Sequence, residues 1–165
     1  MAFAAQCGDV HDSPVIARRS LVLLLLVSAL ACGRKPAASG PPVTIARSGP
    51  AKVRITVTTI GTAIRETGPA ATVQKFGEVY AFSPDFFAVR RDEPAQVTFW
   101  NLQPDDEHDF MLTDPHNKVL LQTKLPPLSK TTFVMTFHEE GLFPFYCTVH
   151  QPAMSGQILV VAPAR

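Results

Sequence analysis

Cys147, His150 and Met154 stand in one short stretch, Phe143-Pro144-Phe145-Tyr146-Cys147-Thr148-Val149-His150-Gln151-Pro152-Ala153-Met154-Ser155-Gly156. They offer a thiolate, an imidazole and a thioether. Thiolate and thioether are soft donors and imidazole accepts both oxidation states of copper, so the mix suits that metal. Two residues between Cys147 and His150 let the chain fold back until both side chains face one centre, and Met154 then approaches along the axis. A plane of two histidines and a cysteine with a weak axial methionine is the ligand set of electron-transfer copper sites. It requires one more histidine from elsewhere in the chain.

His108 is the natural supplier, at the head of the apolar stretch Asp109-Phe110-Met111-Leu112 and just after an acidic turn. His116 and His138 read as surface turn residues, and His11 falls in an export region. Zinc accepts thiolate and imidazole, but a methionine is a poor fourth ligand for it. A catalytic Cys-His pair needs an oriented base and a substrate cleft, and the sequence suggests neither.

Loops of this kind need strands on both sides. From Gln74 onward strand signals are frequent and helical ones are absent. The expected strands are Phe76–Phe82, Phe87–Val89, Gln96–Asn101, His108–Thr113, Val119–Gln122, Thr131–His138, Leu142–Cys147 and Gly156–Val161. Phe133, Met135 and Phe137 alternate with Thr132, Val134 and Thr136, the period of a strand with one buried face. Pro, Asp, Asn and Gly mark the breaks. Short strands at this spacing imply an all-β, antiparallel Greek-key sandwich of about eight strands.

Residues 74–162 resemble the cupredoxin family of small blue-copper proteins. The resemblance extends beyond the ligand loop to Tyr80-Ala81-Phe82-Ser83-Pro84-Asp85-Phe86-Phe87-Ala88-Val89, to Val97-Thr98-Phe99-Trp100-Asn101, and to the closing strand Gly156-Gln157-Ile158-Leu159-Val160-Val161. It implies an eight-stranded sandwich with a single type 1 copper at one end, held by His108, Cys147, His150 and Met154. The implied function is one-electron transfer between Cu(I) and Cu(II), by a carrier rather than an enzyme. It also implies that His150 and its neighbours Gln151-Pro152-Ala153 are the patch on which a redox partner docks, a cytochrome or an oxidase or reductase. A copper carrier or sensor, or an accessory module of a respiratory complex, is the alternative. Asp109 occupies a place where the family often has Asn, which alters the expected tie between the two ligand loops. Three residues separate His150 from Met154, which leaves the axial contact the least determined. The loop has no second cysteine, so one copper is expected and not two.

The first part of the chain has a different character. Arg18-Arg19 precede the apolar run from Leu21 to Ala31, too short to span a bilayer, and Cys32 follows. Residues 1–31 read as an export signal, and Ala29-Leu30-Ala31-Cys32 resembles the bacterial lipoprotein box, in which the cysteine carries the lipid. Export to the periplasm or cell surface with a lipid anchor on Cys32 follows as the expectation. Residues 32–73 read as a basic tether, with a possible extra strand where Val53, Ile55 and Val57 alternate with polar residues. Positions 34–73 carry six basic residues against one acidic, a balance that favours anionic headgroups beside an anchor. Positions 74–165 carry seven basic against eleven acidic residues. Asp105, Asp106, Glu107, Asp109 and Asp114 lie close in sequence around His108, and the group at 105–109 would steer a basic partner. A formal charge of +1 for the whole chain, with no cationic stripe, excludes a nucleic-acid binder. Three cysteines exclude a disulfide scaffold. A monomer is expected.

Overall fold

A computed structural model describes residues 40–164. Alternating apolar residues build ten strands: β1 (Val43–Ala46), β2 (Val53–Ala63), β3 (Val79–Ser83), β4 (Phe86–Arg90), β5 (Ala95–Asn101), β6 (His108–Thr113), β7 (Val119–Leu125), β8 (Ser129–Phe137), β9 (Gly141–Tyr146) and β10 (Ser155–Val161). They form two five-stranded sheets in the orders β1-β8-β5-β2-β3 and β4-β10-β9-β6-β7. This is the expected two-sheet, all-β sandwich with a Greek-key arrangement. β2 runs parallel to β5 and β10 parallel to β4, and the other ladders are antiparallel.

Two expectations need correction. The sandwich begins at Val43, not at residue 74, because β1 pairs with β8 and β2 lies between β5 and β3. The stretch taken for a tether thus supplies two of the ten strands. Val43 and Val57 are buried in the shared core, so the alternation at 53–57 marks an interior strand. Helix is also present: α1 (Ala70–Phe76) follows Pro69, whose fixed φ suits a helix start, and buries none of its residues. It takes up the start of the strand expected at Phe76, so β3 begins only at Val79.

The core is aromatic. Phe82, Phe99, Phe110 and Phe145 are almost fully buried, and Phe99–Phe110, Phe110–Phe145 and Phe82–Phe145 have ring centroids 4.2, 5.5 and 5.4 Å apart. Each such ring contributes about 1.5–3 kcal/mol through burial. Gly156 lets β10 pass this cluster, since a Cβ there would overlap the Asp85 carbonyl oxygen and the Phe145 ring. Gly156→Ala is expected to lower stability by about 2–3 kcal/mol, read by denaturant unfolding; an unchanged midpoint would contradict this packing.

The ladders define two poles. At one lie the end of β5 opposite the start of β8, the start of β6 opposite the end of β7, and the end of β9 opposite the start of β10. Asn101, 1% exposed, ties the sheets together there by donating to the Asp106 and Leu125 carbonyls (2.8 and 2.9 Å). At the other pole the chain enters at Gly40, and His138 N donates to the Pro42 carbonyl.

Candidate metal centre

The start of β6 and the turn between β9 and β10 meet at the first pole. β6 places His108 there fully buried, and the turn carries Cys147 and Met154, both also at 0% exposure. His150 lies between them and is half-buried. Cys147 N donates to the Met154 carbonyl (2.9 Å) and Met154 N to the His150 carbonyl (3.0 Å). The turn is therefore closed by hydrogen bonds of its own backbone.

The donor atoms converge. His108 Nδ1 and His150 Nδ1 lie 3.0 Å apart, and His150 Nδ1 lies 3.6 Å from Cys147 Sγ. The donor atoms of the three residues all fall within 4.8 Å of one another. Metal bonds of about 2.0–2.1 Å to imidazole and about 2.3 Å to thiolate require donors at about this separation. The burial is apolar, with Phe110 and Phe145, two residues from His108 and Cys147 respectively, fully enclosed in the same sheet. The set of two histidines and a cysteine fits one copper ion and is compatible with a mononuclear type 1 electron-transfer centre.

Protonation follows from this enclosure. Burial, and then the neighbouring His150, lower the His108 pKa from 6.5 to about 4. Burial also lowers that of His150, against the pull of Asp106, Asp109 and Glu78. Burial raises the Cys147 thiol, with backbone N–H groups of Asp109, Val149 and His150 opposing. At neutral pH the metal-free site therefore holds two neutral imidazoles and one protonated thiol. Metal binding is expected to release one proton, so affinity falls about tenfold for each unit drop between about pH 8 and 6.5. Proton release measured in weak buffer checks this, and release of two or more would contradict it. The metal-free fold loses stability as pH falls from 6.5 towards about 4, because the unfolded chain takes up a proton at His108 that the folded one does not.

Asp109 is 7% exposed, and it keeps the tie between the loops that its substitution for Asn put in question. Its carboxylate accepts hydrogen bonds from Thr148 N (2.5 Å), Thr148 Oγ1 (2.7 Å) and Gln122 Nε2 (3.0 Å). Its own N–H donates to Cys147 Sγ at 3.4 Å. Burial alone would raise the Asp109 pKa, but these donors outweigh it and the net shift is downward. The carboxylate is ionised beside the thiol.

The remaining candidates lie elsewhere. His116 is exposed in the turn after β6, as expected. His138 follows β8 at the far pole, where its ring contacts Thr44 Oγ1 and Asp92 Oδ1, each at 2.9 Å. His11, Cys32 and the export signal lie outside the described residues. The five acids do not form one patch. Asp109 is buried, Asp114 accepts from His116 N and Lys118 N at the far end of β6, and Glu107 pairs with Lys124 at 2.8 Å. Asp105 and Glu107 stay exposed on the 102–107 loop, with Asp106 half-buried between them.

One contact was not foreseen. Tyr80, 1% exposed, lies against both imidazoles, with ring centroids 4.9 Å from His108 and 4.6 Å from His150. Its hydroxyl donates to Asp106 Oδ2 at 2.5 Å. Burial and then this carboxylate raise the Tyr80 pKa. Tyr80 belongs to a stretch already set apart as family-like, but only the packing of β3 against the ligand loops shows what it touches.

No protein-family model matches the sequence, and no curated protein matches it. Among solved structures, the fold is similar to the copper nitrite reductase of Nitrosomonas europaea, with a TM-score of 0.53 and 11% identity over 72% of this chain and 52% of that one. It is similar to the multicopper oxidase of Campylobacter jejuni, with a TM-score of 0.50 and 12% identity over 68% of this chain and 31% of that one. The reduced auracyanin of Roseiflexus castenholzii aligns with a TM-score of 0.49 and 18% identity over 68% of this chain and 99% of that one. The likeness is one of fold, the two-sheet β-sandwich that these copper proteins contain. Among the described residues no helix is long and apolar enough to cross a membrane.

Proposed function

We propose that this protein is a one-electron carrier in which His108, Cys147, His150 and Met154 hold a single copper ion. The observation that supports this most directly is the convergence of two imidazole nitrogens and a buried thiol within 4.8 Å of one another. Bound there, copper supplies a one-electron couple between Cu(I) and Cu(II). Cys147 would supply the thiolate, His108 and His150 the two imidazoles, and Met154, buried at the end of the same turn, a thioether. The turn closes on its own hydrogen bonds and the sandwich encloses three of the four side chains, so the donors need move little between oxidation states. Phe110 and Phe145 would keep water from the thiolate, and such a shell tunes the potential.

His150 is the half-buried member, flanked by exposed Val149, Gln151, Pro152 and Ala153. This edge would be the route between a bound copper and a redox protein. Exposed Asp105 and Glu107 beside it favour a basic partner, such as a cytochrome. The visible and electron spin-resonance spectra of the copper-loaded protein test the reading. An intense thiolate-to-copper band with a reversible potential supports it. Tight retention of Cu(I) alone, with loss on oxidation, marks a copper carrier instead.

The same proposal places the protein outside the cytoplasm, held at the membrane by a lipid on Cys32. Cys32→Ser is expected to move the protein from the membrane to the soluble fraction and to abolish palmitate labelling. Unchanged fractionation with no label on the parent chain would remove the anchor from the account.

A further inference from the structure

His108 and His150 reach the centre from different supports. His108 is fixed in β6 and wholly enclosed, whereas His150 stands on an exposed turn, where its ring is free to swing outward unless something blocks it. The block is Tyr80. Its ring meets His108 at an interplanar angle of 66° and His150 at 55°, so one aromatic ring packs against both imidazoles. Tyr80 is itself held at its far end by the hydrogen bond to Asp106. The Asp106 backbone is held in turn by Asn101 Nδ2, whose side-chain oxygen accepts from Thr59 Oγ1 and Gln103 N (3.0 and 3.1 Å). A continuous chain of contacts thus runs from β2 and β5 through Asn101, Asp106 and Tyr80 to the two rings. None of its members is a metal donor.

We propose that Tyr80, clamped by Asp106, is a positioning residue that holds His108 and His150 in their converged arrangement before any metal is bound. The inference rests on reading those histidines as ligands, but its central observable belongs to the metal-free protein. A buried hydroxyl bonded to a carboxylate is a strong restraint, and it acts on a ring that has little room to move. Asp106 acts through this bond and not chiefly through its charge.

The test compares Tyr80→Phe, Asp106→Ala, Asp106→Asn and the double variant Tyr80→Phe/Asp106→Ala in the full chain. Imidazole nitrogen NMR of the metal-free protein reads the order of the two rings, and the Cu(I) dissociation rate reads the consequence. Tyr80→Phe and Asp106→Ala are each expected to broaden the ring signals of His150 and, less strongly, of His108. Each is expected to speed Cu(I) loss about tenfold, the range for a lost hydrogen bond to a charged group. The double variant is expected to match the single ones, because both remove the same bond. Asp106→Asn still accepts the hydroxyl, through a neutral oxygen, and is expected to fall between the parent protein and Asp106→Ala. Unchanged ring signals in Tyr80→Phe overturn the proposal, as does a double variant whose effects multiply. Equal effects of Asp106→Asn and Asp106→Ala overturn it in favour of a plain charge effect. Should Tyr80→Phe fail to fold, the two Asp106 variants, at a half-buried loop position, still decide the matter. Should the parent protein fail to bind copper, the ligand reading falls, while the ring signals of the metal-free variants still report on positioning.

Discussion

Cys147→Ser is expected to abolish the visible charge-transfer band completely while leaving the fold intact. The band requires a thiolate bonded to Cu(II), and Cys147 is the free cysteine among the described residues. Serine is nearly isosteric, and its oxygen accepts from the Asp109 N–H that now points at the sulfur, so stability is expected to change by only about 1 kcal/mol. The hydroxyl is a hard donor and keeps its proton at neutral pH, which makes it a poor ligand for copper. Loss of supporting residues around a metal typically lowers affinity by about 10–100-fold; loss of this ligand is expected to exceed that range for both oxidation states. Absorption spectra and a competition titration against a chelator give both readouts. A band that survives the substitution would place the sulfur ligand elsewhere and defeat the assignment.

The second large effect is expected at Asp109, where two substitutions separate geometry from charge. Asp109→Ala removes the acceptor for Thr148 N, Thr148 Oγ1 and Gln122 Nε2 at once. With these donors left in a partly buried place, the expected loss is about 3 kcal/mol, together with a looser ligand turn and weaker copper binding. Asp109→Asn keeps an oxygen for Thr148 N and supplies an N–H for Thr148 Oγ1, while Gln122 turns to offer its own oxygen. Stability is expected to stay within about 1 kcal/mol of the parent, but an ionised carboxylate has gone from beside the thiolate. That anion opposes arrival of an electron, so its removal is expected to raise the reduction potential by roughly 100 mV. Denaturant unfolding of the metal-free forms and redox titration of the loaded ones check the pair. An alanine variant as stable as the parent would show that the tie carries no weight.

The site was far more legible in the sequence than the limits of the fold around it. Cys147, His150 and Met154 are local to one turn, and the apolar run after His108 pointed to a strand that starts at the ligand. β5 to β10 begin and end within a few residues of the expected strands, since their alternation is regular and Pro or Gly marks their breaks. β1 failed to register because it is only four residues long and sits in Pro- and Gly-rich surroundings that read as linker. β2 showed its period, but nothing local indicated that it lies in the middle of a sheet, parallel to a strand some forty residues away. α1 is too short and too weakly amphipathic to carry a helical signal. Tyr80 and Asp106 are 26 positions apart, so their contact follows from the packing of β3 beside the 102–107 loop and has no sequence spacing to reveal it. Asp109 marks the boundary between the two cases. Its departure from the family residue was visible, but its bonds to Thr148 depend on how the two loops meet.

The two poles of the sandwich carry opposite duties. The chain enters at Gly40 beside Pro42 and the end of β8, and the donor cluster gathers where β8 begins. β8 has nine residues, so the two ends are separated by roughly 27–30 Å of rigid sheet. Contacts made at the Gly40 end therefore lie a full strand's length from the donor cluster and leave that tip clear for an approaching molecule.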